Sequence, residues 1–199
     1  MLDAKIRGYY DQVMKPVGGA LARGGLHPNA ITAAGVGLQT VVAVLILRDA
    51  LVAAGLVAIA AGVADSLDGA VAKASGGGSK FGALLDSTTD RTSDALFFLP
   101  LAWLYGVAPD PARDGQSWVA ALALVTLVAT FLVSYVKARA EGLGYECNVG
   151  IAERAERLIL IVAGLLLGLV PPMLAILAAL SIVTVVQRML FVRQQIRDE

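Results

Sequence analysis

The sequence predicts an all-α integral membrane protein, with six transmembrane helices preceded by an amphipathic juxtamembrane helix. Three observations predict it. Of the 199 residues, 57% are hydrophobic and only 16% are charged, whereas soluble domains carry about 25% charged residues, so lipid must cover much of the outside. The mean hydropathy of +0.73 points the same way. Six stretches also come close to the ~20 mostly apolar residues that a spanning helix requires.

The first stretch is 29–47, and it ends at Arg48-Asp49, a turn so short that the next helix must run back antiparallel. The second is 51–72, followed by the polar, glycine-rich connection from Ser75 to Lys80. The third covers 82–105 and gives way to a loop from Val107 to Gln116 that holds Pro109, Pro111 and Gly115. The fourth spans 117–139, and the connection Glu141 to Glu153 leads to the fifth at 154–170. Pro171-Pro172 is expected to break the chain before the sixth, at 173–192, because proline cannot continue a helix interior. Ahead of them all, Leu2, Ile6, Tyr9, Tyr10 and Val13 recur at helical spacing among Lys5, Arg7 and Asp11, which suits an interfacial helix over about 2–14. The N-terminus has no apolar run and is not read as a cleavable signal peptide. Residues 1–199 are taken as one membrane domain.

The formal net charge is zero, so the balance names no nucleic acid or other anionic partner. The distribution of charge is more informative. With six spans, fourteen of the sixteen Lys and Arg residues fall on one side, and only Arg48 and Arg113 fall on the other. By the positive-inside rule the crowded side is cytoplasmic, which predicts a multi-pass cell (inner) membrane protein. One cysteine, Cys147, and one histidine, His27, exclude a disulfide framework and a Cys/His metal site. Any metal would sit on oxygen ligands, favouring Mg2+ or Mn2+.

Such ligands are present. Asp65 and Asp68 lie three apart near the end of the second span, and Asp86, Asp90 and Asp94 follow at spacings of four near the start of the third. Each set shares a helix face, and antiparallel packing brings both to one depth at the cytoplasmic boundary. Carboxylates so placed repel one another unless one or two divalent cations hold them. Helix capping or pairing with nearby Lys and Arg is the plainer alternative, and Asp94 suits a structural role best.

The run Asp65-x2-Asp68-Gly69-x2-Ala72-Lys73-x8-Gly82-x3-Asp86-x3-Asp90 resembles the signature of the CDP-alcohol phosphotransferase family, which has arginine where this chain has Lys73. Lysine keeps the charge but loses the bidentate fork. The resemblance implies six transmembrane helices, a homodimer, and transfer of a phosphatidyl-type group from a CDP-linked lipid to an alcohol with release of CMP. It implies that Asp65, Asp68, Asp86 and Asp90 approach the metals, and that Asp90 is the general base. It places Asn29, Thr32, Asp65, Asp68, Gly69, Ala72, Lys73, Ser79 and Lys80 around CDP-diacylglycerol. Asn29 could instead cap its helix, and Gly69, Ala72 and Gly82 could serve ordinary close packing.

Outside the signature, Ser134 and Lys137 on the fourth span, Arg154 and Arg157 on the fifth and Arg188 on the sixth aim cations at the aspartate layer. Snorkelling anchors would look similar, but the constellation suits a phosphate dianion and so a phosphorylated acceptor. The segments Ser134–Glu141, Ile151–Leu158 and Gln187-Arg188 are similar to those of the phosphatidylinositol phosphate synthases of actinobacteria, a branch of that family. That likeness implies inositol 1-phosphate as acceptor, its phosphate held by Ser134, Lys137, Arg154 and Arg188, with Arg157 the lesser choice of the two arginines. Phosphatidylglycerol phosphate synthesis from glycerol 3-phosphate is the close alternative. Cation transport is the distant one, and it would require polar residues through the outer half of the spans.

Overall fold

The computed structural model describes residues 16–77, 79–108, 110, 113–151 and 154–198. The interfacial helix expected over about 2–14 lies outside the described residues. Helix α1 is described over residues 16–23. It is followed by α2 (Pro28–Leu47), α3 (Leu51–Ala74), α4 (Lys80–Gly106), α5 (Ser117–Gly142), α6 (Arg154–Leu166) and α7 (Val170–Arg197). The described residues are therefore all-helical, and the six longer helices coincide closely with the six apolar stretches.

Four of them, α2, α3, α5 and α7, are long and apolar enough to cross a membrane. The other two depart from the expectation for physical reasons. Helix α4 has 27 residues but carries Asp86, Asp90, Arg91 and Asp94 among its apolar ones. Helix α6 has only 13 residues, or about 20 Å at 1.5 Å per residue, against a hydrocarbon core of about 30 Å.

The boundary between α6 and α7 also needs correction. The chain breaks at Gly168, which has φ +67°, and Pro171 and Pro172 lie within the first turn of α7. At that position a proline's missing N–H costs nothing and its fixed φ favours the helix. The prolines start the last helix rather than end the one before. The cap of α2 is likewise not Asn29 but His27, whose Nδ1 accepts a hydrogen bond from the Asn29 backbone N–H at 3.3 Å. Between α2 and α3, Asp49 takes φ +57°, and its carboxylate accepts from Arg113. Arg113 also binds Asp110 at 2.8 Å and lies over the Tyr105 ring. The two cations predicted for the outer side, Arg48 and Arg113, thus lie in or against one cluster of turns.

The apolar core fills the same half of the bundle as those turns. It joins Val42 and Ile46 of α2, Ala54 and Ala58 of α3, Phe98, Leu101 and Leu104 of α4, and Val119 and Ala123 of α5 to Ile161 and Leu165 of α6 and Leu174 and Leu177 of α7. The buried residues of this cluster are all apolar, whereas transport would need polar residues continuing through it. Close approach of α6 depends on small residues. A Cβ on Gly55 would meet Leu166 at 2.9 Å, one on Gly62 would collide with Leu158, and one on Gly164 would meet Met173 at 2.5 Å. These contacts seat the short helix between α3 and α7, and so fix where Arg154 at its first turn can reach.

Candidate active site

The helix ends opposite the core carry the aspartates. Carboxylate oxygens of Asp65 and Asp68, on α3, and of Asp86, on α4, lie within 4.8 Å of one another. A triply anionic, all-oxygen donor set at that separation fits a hard divalent cation. Thr32 of α2 donates a hydrogen bond to Asp68 at 2.7 Å, which orients one of the three. Asp90 is not of that group. It faces Arg154 of α6, whose Nη1 is 2.5 Å from Asp90 Oδ1, although the pair is not aligned as a hydrogen bond and Oδ1 is buried without a donor. Arg91 stands 3.5 Å from the other oxygen, Oδ2.

Arg154 also grips Asp65 with two hydrogen bonds, Nε to Oδ2 at 3.2 Å and Nη2 to Oδ1 at 2.8 Å. The residue expected at the acceptor phosphate therefore bridges the two aspartate sets. The plainer reading of these carboxylates, as partners of cations, is thus partly true of Asp65 and Asp90. It is wholly true of Asp94, one turn deeper, which accepts from Arg157 at 3.0 Å.

Two cavities meet at this cluster. The first, of about 580 Å³, is lined by His27, Asn29, Thr32, Asp65, Asp68, Gly69, Ala72, Ser79, Gly82 and Asp86, among others. It gathers most of the predicted donor residues. Nothing lies within 4 Å of where a Gly69 Cβ would be, so the missing side chain leaves open space in the cleft. Ser79 caps α4 by accepting from the Gly82 N–H at 2.9 Å. Lys73 and Lys80, predicted for the donor, are exposed and are not among the lining residues.

The second cavity, of about 350 Å³, is lined by Asp90 together with Ser134, Lys137, Arg154 and Arg188, with Ser87, Arg91, Glu141 and Arg157 beside them. All four predicted acceptor residues are thus brought together from three helices. Besides Arg154, two of them carry other duties. Lys137 lies 3.8 Å from Glu141, and buried Arg188 donates to the backbone oxygens of Val133 at 2.5 Å and Val149 at 2.9 Å. Arg188 thereby ties α7 to α5 and to the α5–α6 loop. Gln195 ties the same loop again, through reciprocal hydrogen bonds with the Glu146 backbone at 2.8 and 3.2 Å. Burial pushes the Cys147 thiol in this loop up, while Arg188 and Lys137 nearby pull it down.

Sequence reasoning missed Ser87, Arg91 and Glu141 as cavity residues. Ser87 lies three residues before Asp90 and four before Arg91, and Glu141 lies one turn after Lys137, so helical spacing was the available signal. It also missed Gly55 and Gly62, whose seven-residue spacing marks one close-packing stripe.

The family model of the CDP-alcohol phosphatidyltransferases matches residues 25–187. The phosphatidylinositol phosphate synthase of Corynebacterium glutamicum is 40% identical over 188 residues, covering 89% of this chain and 82% of that protein. The enzyme of the same name from Mycolicibacterium smegmatis is 37% identical over 199 residues, covering 94% and 86%. Among solved structures, the phosphatidylinositol phosphate synthase of Mycobacterium tuberculosis with CDP-DAG bound superposes with a TM-score of 0.80 at 34% identity, over 91% of this chain and 94% of that one. The same enzyme in complex with manganese and citrate gives a TM-score of 0.79 at 33% identity, over 90% and 88%.

Proposed function

The chain belongs to the CDP-alcohol phosphatidyltransferase family, and from that premise we propose that it transfers the phosphatidyl group of CDP-diacylglycerol to inositol 1-phosphate, releasing CMP. One observation carries the reading. Asp65, Asp68 and Asp86 line one cavity and Asp90 lines the other, so a donor and an acceptor can meet across a single row of carboxylates. The names of the similar enzymes support the acceptor, as does the cationic lining drawn from α5, α6 and α7.

The donor's nucleotide and pyrophosphate lie in the cleft of α2, α3 and α4, against Asn29, Thr32, Gly69, Ala72 and Ser79. Lys73 and Lys80 contribute charge from its exposed rim. Asp65, Asp68 and Asp86 would hold Mg2+ or Mn2+, with Asp90 adjoining, and a cation there would supply charge neutralisation at the pyrophosphate that eases departure of CMP. On the acceptor side, Ser134, Lys137, Arg154 and Arg188 bind the phosphate dianion, and charge-assisted hydrogen bonds make this the strong anchor. Asp90, which lines the acceptor cavity beside Arg154, takes the proton from the attacking hydroxyl. The acceptor's hydroxyl oxygen forms its bond to the lipid-side phosphorus as the bond to the CMP oxygen breaks.

Six spans, with the site facing the cytoplasm of a cell membrane, complete the reading. It is supported by the six helices and by the concentration of Lys and Arg on one side. On this view α6 and the charged half of α4 are sheltered by the other helices rather than by lipid. The assembly is read as a homodimer, on the family resemblance. Residues 1–199 form one membrane domain.

The deciding assay measures CMP release from CDP-diacylglycerol by the purified protein, with inositol 1-phosphate and glycerol 3-phosphate as rival acceptors. Turnover that requires Mg2+ or Mn2+ and strongly prefers inositol 1-phosphate is expected. A preference for glycerol 3-phosphate would sink the acceptor assignment, and CMP release with neither acceptor would sink both.

A further inference from the structure

The aspartates of α4 and the arginines of α6 form a two-rung ladder. In the upper rung Arg154 meets Asp90, with side-chain exposures of 35% and 19%. In the lower rung Arg157 meets Asp94 at 3.0 Å, with exposures of 8% and 12%. The rungs are in register because Asp94 follows Asp90 by four residues and Arg157 follows Arg154 by three, each one helical turn. Backbone packing does little to hold these two helices together. Helix α6 rests mainly on α3 and α7, and α4 mainly on α2 and α5.

Asp94 has no direct part in the proposed chemistry, and Arg157 borders the acceptor cavity without being one of the four residues proposed to bind the phosphate. Asp94 lines a small chamber with Gln39 and Ser93 and the apolar Val36, Phe97 and Ile161, and the chamber reaches up to Asp65 and Asp68. Arg157 touches both this chamber and the acceptor cavity, and its buried Nε has no hydrogen-bond partner. A buried ion pair contributes little net stability, because desolvation offsets attraction, whereas an orphaned partner is costly. Stability is therefore a weak reason for the pair, and geometry is a better one.

We propose that Asp94 and Arg157 form a positioning pair. By locking α6 to α4 one turn below the site, the pair sets Arg154 and Asp90 at the separation that acceptor binding and attack require, and leaves the donor cleft alone. This rests on the reading of Asp90 as base and Arg154 as phosphate ligand.

Two variants of the full chain test it, the double variant Asp94→Leu/Arg157→Met and the single variant Arg157→Lys. The double variant removes both charges together, so no buried ion is orphaned. Initial rates of CMP release are measured with each substrate varied in turn, alongside thermal midpoints. The double variant is expected to keep its midpoint, to raise the acceptor KM and lower kcat by about tenfold or more, since an error of ~1 Å can cost about a hundredfold, and to leave the donor KM within about twofold. Arg157→Lys, which keeps the charge without the planar fork, should fall between it and the parent.

A folded double variant with parental acceptor KM and kcat overturns the proposal. So does an equal rise in both KM values, which would mean general loosening. If the double variant does not fold, Arg157→Lys decides by the same criteria. If neither folds, the pair is a requirement of the fold and the proposal is also overturned. Should the parent prefer glycerol 3-phosphate, the acceptor reading fails, while the same comparison on that substrate still tests the pair.

Discussion

The two cavities on either side of the aspartate row are built in opposite ways. The donor cleft comes from α2, α3 and α4, consecutive in the chain, and most of its lining lies between Asp65 and Asp86. Small residues shape it, so its chemistry is that of carboxylates and nearby backbone. The acceptor cavity takes Asp90 from α4, Ser134 and Lys137 from α5, Arg154 from α6 and Arg188 from α7. Its chemistry is that of cations on long side chains, held by contacts far apart in sequence. The first cavity is built from neighbouring segments and tied to α6 through Arg154's grip on Asp65, whereas the second depends throughout on how α6 and α7 are seated.

The largest expected effects fall on the row that both cavities share. Asp68→Asn or Asp86→Asn should lower CMP release by about a thousandfold or more, the several kcal/mol that a metal clamp supplies. Chelation with EDTA should do the same to the parent, with recovery on adding Mg2+ or Mn2+. Asp90→Asn should cost about 10²–10⁴ in kcat, and near-normal turnover would remove it as the base.

Arg154→Ala separates the cavities. Loss of charged hydrogen bonds worth about 1.5–3 kcal/mol should raise the acceptor KM by about 10- to 100-fold while the donor KM stays within about twofold. Equal changes in both would show that its grip on Asp65 matters more than the acceptor phosphate. Gly62→Leu attacks the seat of α6 instead. Its first added carbon already collides with Leu158, and overpacking of this kind costs about 1–3 kcal/mol. A lowered thermal midpoint with a weakened acceptor KM is expected, and an unchanged midpoint would deny that the seat is tight.

Lys73→Arg, which restores the family residue in the donor cleft's signature, should change the donor KM by less than about threefold, because Lys73 is exposed and a surface ion contact is worth ~1 kcal/mol or less. The mildest test concerns the acceptor-side loop. With its thiol buried and pushed up, Cys147 holds less thiolate at neutral pH than a free cysteine, so alkylation by a maleimide should be slow until the protein is unfolded. Rapid labelling would show that the loop opens.

The donor half was legible because its residues sit at short, fixed spacings. Asp65 and Asp68, then Asp86 and Asp90, lie three or four apart on two helices joined by one loop, and helical geometry alone aligns them. The acceptor residues were legible as a set of cations at one depth, but not in their contacts. Nothing local told that Arg154 would reach Asp65, that Arg188 would brace two carbonyls, or that Lys73 and Lys80 would miss the cleft's lining.

Hydropathy and helix periodicity by themselves determined an all-α membrane chain, six helices with nearly correct limits, and the carboxylate row, because each depends on neighbours within a few turns. Tertiary structure alone decided that Gly55 and Gly62 admit the short α6 against α3. It also decided that Asp94 and Arg157 meet beneath the site. Those outcomes depend on which helix faces come together in space, and that is settled by packing volume and ion pairing between residues as far apart as Asp65 and Arg154.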